Sequence, residues 1–521
     1  MRPAAPTIST SSRALVELLS PRGAEPGDLH RPPLLERRVP RGRALPKAAG
    51  LVSVLGALLV LPLHGCAASS EPLVSSLDCG DCSLVLISID TLRADHLGAW
   101  GYPRETSPRL DGLAAEGIRF GSAYSTSYHT ADSHMSVFTA LHPSVHGVRN
   151  APSADQAVTL GEGIATVTER LRAAGFGTYG YHAGGNVSRA FGFGRGFDEY
   201  VWTNSLIEPV LERLDELRSR PAERFFLFFH TYRPHDPYLP ESPFDRAGEA
   251  DYRGSIITTA DELDRLSSGG DFAERRRLFW SRVDRERPED LRKVVALYDG
   301  EIRQVDQEVG KILDRLDQLP QRTLVAFMSD HGEEFQEHGR FLHDQLYNEL
   351  LHVPLILRHP DRARPGAVVE TPVSLVDLAP TLLDLLEAPA LERAQGKSLR
   401  PLLEGARAEA PRPIFAEKVH GIDPETGDVL GLNRALIARN RKLLRLASGE
   451  THLFDLESDP GETIDLAGAR PEVLAGLLEA LDRRSASNAV LRRQLRAGAG
   501  LPTLPLDAET IEQLRALGYL Q

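Results

Sequence analysis

Two runs decide the fold: SLVLISID at residues 83–90 and TLVAFMSD at residues 323–330, the second followed at once by His331-Gly332-Glu333-Glu334. Each is an unbroken apolar stretch that ends in an acid. Runs without alternation belong to strands buried on both faces, as in the parallel sheets of α/β proteins, and the acid then sits at the carboxyl end of the strand. Phe225–His230 (FFLFFH) and Val353–Arg358 (VPLILR) are further strand candidates, and helical patterns at Pro108–Glu116, Gly161–Ala174 and Leu291–Leu319 lie between the strands. The alternation predicts an α/β fold, a large mixed sheet sandwiched by helices. Ligands of such sheets bind outside the carboxyl ends of the strands, where Asp90 and Asp330 fall. From Pro411 the pattern changes to short pieces, RPIFAEKV, RALIARNRKLLRL and THLFDLE, which predict a smaller antiparallel α+β subdomain closed by a helix over Pro471–Arg483. The expected division is a leader at 1–66, a linker at 67–82, a catalytic domain at 83–405, the subdomain at 406–487 and a tail at 488–521. The polar segment 241–290 is either a lid or substrate-specifying insertion or a plain surface excursion.

The 521 residues are 41% hydrophobic and 26% charged, with a net charge of −13. This composition excludes a disordered, collagenous or coiled-coil chain, and the acidic balance argues against a nucleic-acid partner. Three cysteines cannot make a disulfide scaffold. Cys79 and Cys82 precede a strand instead of opening a helix after one, so they read as a local disulfide or two idle thiols, not a thioredoxin-like site. The first 50 residues are basic, and an apolar run from Ala48 to Leu63 follows, too short for a comfortable membrane span. Leu63-His64-Gly65-Cys66 after that run resembles a bacterial lipoprotein signal, which implies an exported, periplasmic or cell-envelope protein anchored to the membrane through a lipid on Cys66.

Four ordered motifs carry the chemistry: Asp90-Thr91-Leu92-Arg93-Ala94-Asp95-His96, Thr106-Ser107-Pro108-Arg109-Leu110-Asp111, Thr130-Ala131-Asp132-Ser133-His134-Met135-Ser136, and Ser329-Asp330-His331-Gly332-Glu333-Glu334. Together with Val373-Ser374-Leu375-Val376-Asp377 and Leu453-Phe454-Asp455-Leu456 they resemble the sulfatase family of the alkaline phosphatase superfamily, from about Ser83 to the C-terminus. Ester cleavage in such an enzyme needs a nucleophile, a cation on the non-bridging oxygens and a proton donor for the leaving oxygen. Asp90, Asp330 and His331 offer two carboxylates and an imidazole to one divalent metal ion, with Thr130 as a fourth ligand and as the nucleophile. The resemblance places His343 and His235 as leaving-group donors, and neutral imidazoles suit that task. Asn186 is either an oxyanion contact or a turn residue after two glycines, and His230 ends a strand on the substrate side. His134 and His129 flank Thr130 and either contact substrate or make structural hydrogen bonds. Asp132 either adds charge or caps a helix starting at Ser133.

The departures from the family pattern shape the expected reaction. The family's Cys or Ser nucleophile, which is oxidised to formylglycine, is Thr130 here, and a secondary alcohol yields only a ketone. Asp132 and His134 replace the proline and arginine of the signature, Thr91 follows Asp90 where a second aspartate is usual, and His331 stands where many sulfatases have Asn. One fewer carboxylate and one more imidazole favour zinc or manganese over calcium. The reading that follows is a metal-dependent hydrolase of phosphate, phosphonate or sulfate esters on small-molecule, glycan or lipid-linked substrates, with a covalent intermediate on Thr130. The rivals are a sulfatase working without formylglycine and a catalytically silent metal-containing binding protein.

Overall fold

The structure, a computed structural model, describes residues 77–150, 156–246, 252–267, 272–407, 411–423, 428–496 and 502–516. The expected leader with its Cys66 lies outside the described residues. An eight-stranded sheet forms the centre of the catalytic domain. In chain order its strands are β1 (Ser83–Ile89), β2 (Ile118–Phe120), β3 (Gly177–His182), β4 (Glu199–Trp202), β5 (Phe225–Thr231), β6 (Thr323–Ser329), β7 (Leu355–Arg358) and β8 (Ala367–Val369). Across the sheet the order is β8-β2-β7-β6-β1-β5-β3-β4. β7 is antiparallel to both β6 and β2, whereas every other neighbouring pair is parallel. β7 is the fourth strand anticipated from the sequence, shortened because the chain breaks at Pro354, which has no N–H for a ladder.

The unbroken apolar runs have their explanation in two cores. Leu84, Leu86, Phe226, Phe228, Leu324 and Ala326 point to one face, against helices α1 (Thr130–Thr139) and α4 (Leu378–Leu385). Val85, Ile87, Leu227, Phe229, Val325 and Phe327 point to the other, against α3 (Pro288–Leu316). With period-2 side chains and apolar cover on both faces, these strands favour apolar residues along their middle, and polar positions such as Ser88 and His230 fall near their carboxyl ends. Helix α3 begins three residues before the sequence pattern, at a proline whose missing N–H costs nothing in a first turn. The helical pattern over Gly161–Ala174 starts late instead, as α2 (Val167–Ala173), because Thr166 and Glu169 form a capping box there.

The C-terminal sheet is antiparallel, β9 (Ile414–Ile422), β10 (Val429–Ala438), β11 (Arg441–Arg445) and β12 (Thr451–Asp455), in sequential order. RALIARNRKLLRL is two strands, not one piece, since Arg439 takes a positive φ and turns the chain. Helix α5 (Pro471–Arg496) runs well past the expected end at Arg483 and through the expected boundary at residue 487. Part of the tail returns to the catalytic domain, where Thr503–Pro505 pairs with Gln156–Val158. Cys79 and Cys82 are joined in a buried disulfide ahead of β1, the first of the two alternatives. Among the described residues no helix is long and apolar enough to cross a membrane.

Candidate active site

Strand register builds the site. β1 is flanked by β5 and β6, with Ser88 opposite His230 and Ile89 opposite Ser329, so Asp90 and Asp330 leave neighbouring strand ends side by side. Asp90 donates its backbone N–H to Thr231 at 3.0 Å, and Thr91 then turns the chain at a positive φ while its hydroxyl donates to the Pro234 carbonyl at 2.8 Å. A threonine held in the left-handed region is strained, and the surrounding bonds keep it there. Ser329 Oγ accepts the Leu92 N–H at 3.0 Å and donates to the His331 carbonyl at 2.7 Å, stitching the two strand-end loops together. Gly332 is required by packing: a Cβ there would strike the Glu349 carbonyl.

Asp90, Asp330 and His331 are all fully buried, and each offers one ligand atom to a cluster within 4.8 Å. Asp90 Oδ1, Asp330 Oδ2 and His331 Nε2 have no hydrogen-bond partner. His331 Nδ1 donates to the Gly332 carbonyl at 2.9 Å, which fixes the tautomer and leaves the Nε2 lone pair turned to the two carboxylates. Burial, then the facing Asp330, push Asp90 well above the usual carboxylate range. Burial acts upward on Asp330 too, but His331 and His134 hold it below that range. Two buried carboxylates and a lone pair converging without a protein partner form a donor set of oxygen and imidazole nitrogen that fits a divalent cation.

Thr130 is the first residue of α1, and its hydroxyl donates to Asp90 Oδ2 at 3.2 Å. The helix therefore starts at Thr130, with His129 as N-cap, and not at Ser133. Asp132 lies in the first turn instead of capping it, accepting the Asn150 N–H at 3.2 Å and facing Lys418 Nζ at 3.5 Å. His134 is placed differently from a substrate contact. It is fully buried beneath Thr130, with Nδ1 bonded to the Thr130 carbonyl at 2.9 Å and Nε2 to Ser88 Oγ at 2.9 Å. Both nitrogens are engaged, so it braces the Thr130 backbone, and it stands 3.3 Å from Asp330. His230 has Nε2 3.5 Å from Asp90 Oδ2 and a ring edge-on to His134, and burial drives its pKa well down, which keeps it neutral. Asn186 sits in a tight turn after β3, its N–H donating to Tyr232 Oη at 3.1 Å, and the Tyr232 ring packs on His230.

The two histidines expected to protonate a leaving group do meet here. The His343 ring lies 4.7 Å from His331, 5.3 Å from His235 and 6.1 Å from His129. His343 Nδ1 is 3.1 Å from Glu333 Oε1, and burial pushes His343 down to about 4 and Glu333 up to about 8. The pair therefore shares one proton at neutral pH. His235 Nδ1 bonds the Asp236 carbonyl at 3.0 Å.

Four contributors escaped the sequence reading. Glu333 is quoted in the fourth motif, yet its role depends on His343 ten residues on. Lys418, carried in by β9, has Nζ 2.5 Å from His129 Nδ1. Arg276 and Trp280 both donate to Asp236 Oδ2, at 2.5 and 2.9 Å, so this part of the polar segment packs against the loop that carries His235. With Arg277, Arg285, Arg340 and Phe341 these two line a cavity of about 630 Å3 that reaches His129 and His343. No motif marks them, because the pairing depends on tertiary structure.

Against this geometry, the sulfatase family model matches residues 83–388. The chain belongs to the sulfatase family, within the alkaline phosphatase superfamily. A second model, for the C-terminal region of N-sulphoglucosamine sulphohydrolase, matches residues 336–484 of this sulfatase-family chain. An arylsulfatase of Clostridium perfringens is 24% identical over 461 residues, covering 74% of this chain and 90% of that protein. Arylsulfatase K of Homo sapiens is 30% identical over 199 residues, 36% of each chain, so this second likeness spans about a third of that relative. Among solved structures, the phosphonate monoester hydrolases of Agrobacterium radiobacter (20% identity, TM-score 0.59) and Silicibacter pomeroyi (22%, TM-score 0.61) each align over 78% of this chain and 96% of theirs, which shows a shared fold. The protein is thus an ester hydrolase of the sulfatase family with a candidate metal triad.

Proposed function

We propose that the protein hydrolyses phosphate, phosphonate or sulfate esters through a covalent ester of Thr130. The observation that carries this reading is the Thr130 hydroxyl, bonded to Asp90 Oδ2 at a helix start beside three unpartnered donor atoms. A divalent cation held by Asp90, Asp330 and His331, zinc or manganese in preference to calcium, would neutralise the non-bridging oxygens and favour ionisation of a nearby hydroxyl. Thr130 Oγ1 passes its proton to Asp90 Oδ2 and bonds to the phosphorus or sulfur, while the bond to the leaving oxygen breaks. The positive end of α1 favours the charge gathering at that point. His343 gives the leaving oxygen a proton and is resupplied by Glu333, whose raised pKa keeps it protonated near neutrality. Water then cleaves the Thr130 ester with the proton movements reversed. His134 keeps the Thr130 backbone in register, and Asn186 and His230 face the substrate side.

The test is metal-dependent turnover of matched aryl sulfate, phosphate monoester, phosphodiester and phosphonate substrates, with Thr130→Ala as control. Phosphodiester or phosphonate turnover lost in Thr130→Ala supports the reading. Sulfate turnover dominating the panel would favour sulfuric ester hydrolysis without formylglycine, a rival supported by the 24% likeness to an arylsulfatase over 90% of its length. The basic and apolar segments ahead of Cys66 support export and lipid attachment. Labelled palmitate entering the wild type but not Cys66→Ser would be the expected outcome.

A further inference from the structure

A second cavity, of about 520 Å3, opens away from the catalytic residues, where β9 meets the catalytic domain. Its wall combines His142, just beyond α1, with Asp377 and Lys397, with Arg412 and Phe415 at the start of β9, and with Arg484 on α5. Nothing in the ester chemistry uses this place. Its charge is opposite to that of the chain: four cations, Lys397, Arg407, Arg412 and Arg484, face one acid on a protein of net charge −13.

The acid is already spent. Asp377 Oδ1 accepts the Lys397 N–H at 2.8 Å and the Arg412 guanidinium at 2.5 Å, and Oδ2 accepts the Ser374 N–H at 3.3 Å. Arg484 closes no ion pair among the described residues, although the Glu417 and Asp377 carboxylates act on its charge: it stacks over the Phe415 ring at 5.1 Å, and its Nε is buried with no hydrogen-bond partner. A buried guanidinium nitrogen with no hydrogen-bond partner carries a desolvation cost that a bound anion would offset. The His142 ring stands edge-on to the same Phe415, and its buried Nδ1 has no hydrogen-bond partner either. Val376, Leu399 and Ile414 give the wall an apolar stretch among polar neighbours such as Thr371 and Gln395, and the volume is that of a small-molecule site.

We propose that this cavity binds a small organic anion, its charged head on Arg484, Arg412 and Lys397 and its apolar body against Val376, Leu399 and Ile414. A planar guanidinium pre-oriented by stacking is suited to a carboxylate, phosphonate or sulfonate head. The proposal stands whatever ester the Thr130 site cleaves.

Calorimetric titration of the full chain with benzoate, benzenesulfonate and phenylphosphonate tests it, since none contains an ester bond. At least one should bind saturably at one site, and the neutral control benzyl alcohol should not. Arg484→Gln should weaken that binding by about tenfold or more, the worth of one charge-assisted bond, while Thr130→Ala leaves it unchanged. If Arg484→Gln does not fold, Lys397→Gln, at an exposed side chain, should weaken binding about threefold and flatten its salt dependence. No saturable binding of any of the three anions, unchanged binding in the folded cavity variant, or loss of binding in Thr130→Ala would each overturn the proposal.

Discussion

The floor and the mouth of the catalytic site are built on different principles. Every group on the floor, Asp90, Asp330, His331, Thr130 and His134, comes from a strand end or the first turns of a helix and is fully buried. Mouth residues come from elements remote in sequence, the polar segment carrying Arg276 and Trp280, the loop carrying His343, and β9 carrying Lys418. Strand register fixes the floor before any side chain is chosen. The mouth is held by side-chain bonds, so its chemistry can change without disturbing the fold.

This difference predicts how substitutions divide. Asp90→Asn on the floor should lower kcat/KM by roughly a thousandfold or more, the scale for groups that act as a unit. It should fold normally, and in chelator-treated protein it should melt no lower than wild type, because it relieves two facing buried carboxylates. A large loss of melting temperature in the metal-free variant would show that the floor is structural and would erase the distinction.

His343→Gln sits at the border between the two regions, and its effect should depend on the substrate. Loss of the leaving-group proton should cost roughly a hundredfold with an alkyl alcohol leaving group and little with a p-nitrophenolate, which departs without a proton. Equal losses on both would remove His343 from proton transfer. At the rim, Arg277→Ser and Arg285→Ser should raise KM for an anionic ester about threefold at low salt with kcat unchanged, the difference fading by 0.5 M salt. A change in kcat instead would mean that the rim shapes the floor.

The same division governs what the sequence discloses. β1, β5 and β6 were legible because strands covered on both faces favour apolar residues, and an acid at the end of such a run has no structural reason to be there. Asp90 and Asp330 follow directly from that, whereas His331 and Thr130 needed the resemblance of their motifs to the sulfatase family. His134 was harder: spacing placed it on α1 next to Thr130, but only the depth of the helix shows that Ser88 and the Thr130 carbonyl take both its nitrogens. Lys418 and Arg276 were not legible at all. Lys418 belongs to a strand pattern whose register with β10 sets which way it points, and Arg276 lies in a polar segment whose many charges look alike until Asp236 selects one.

The foundation of the mouth offers the subtlest test. Glu301, on α3, accepts the Leu239 N–H at 2.9 Å, and burial pushes its carboxyl up to about 8. Its folded pKa exceeds that of the unfolded chain, about 4.3. The folded state therefore binds the proton more tightly, and the stabilisation it brings is complete below about pH 4 and is lost as pH rises through 8. Between pH 6 and 9 the melting temperature should fall by a few °C from this group. Glu301→Gln keeps the carbonyl acceptor for Leu239 and removes the titration, so its melting temperature should be flatter over that range. The slope should persist with and without chelator, because Glu301 supports the mouth and not the metal triad. A slope that vanishes on metal loading would move its origin to the carboxylates of the floor and make the two regions one electrostatic unit.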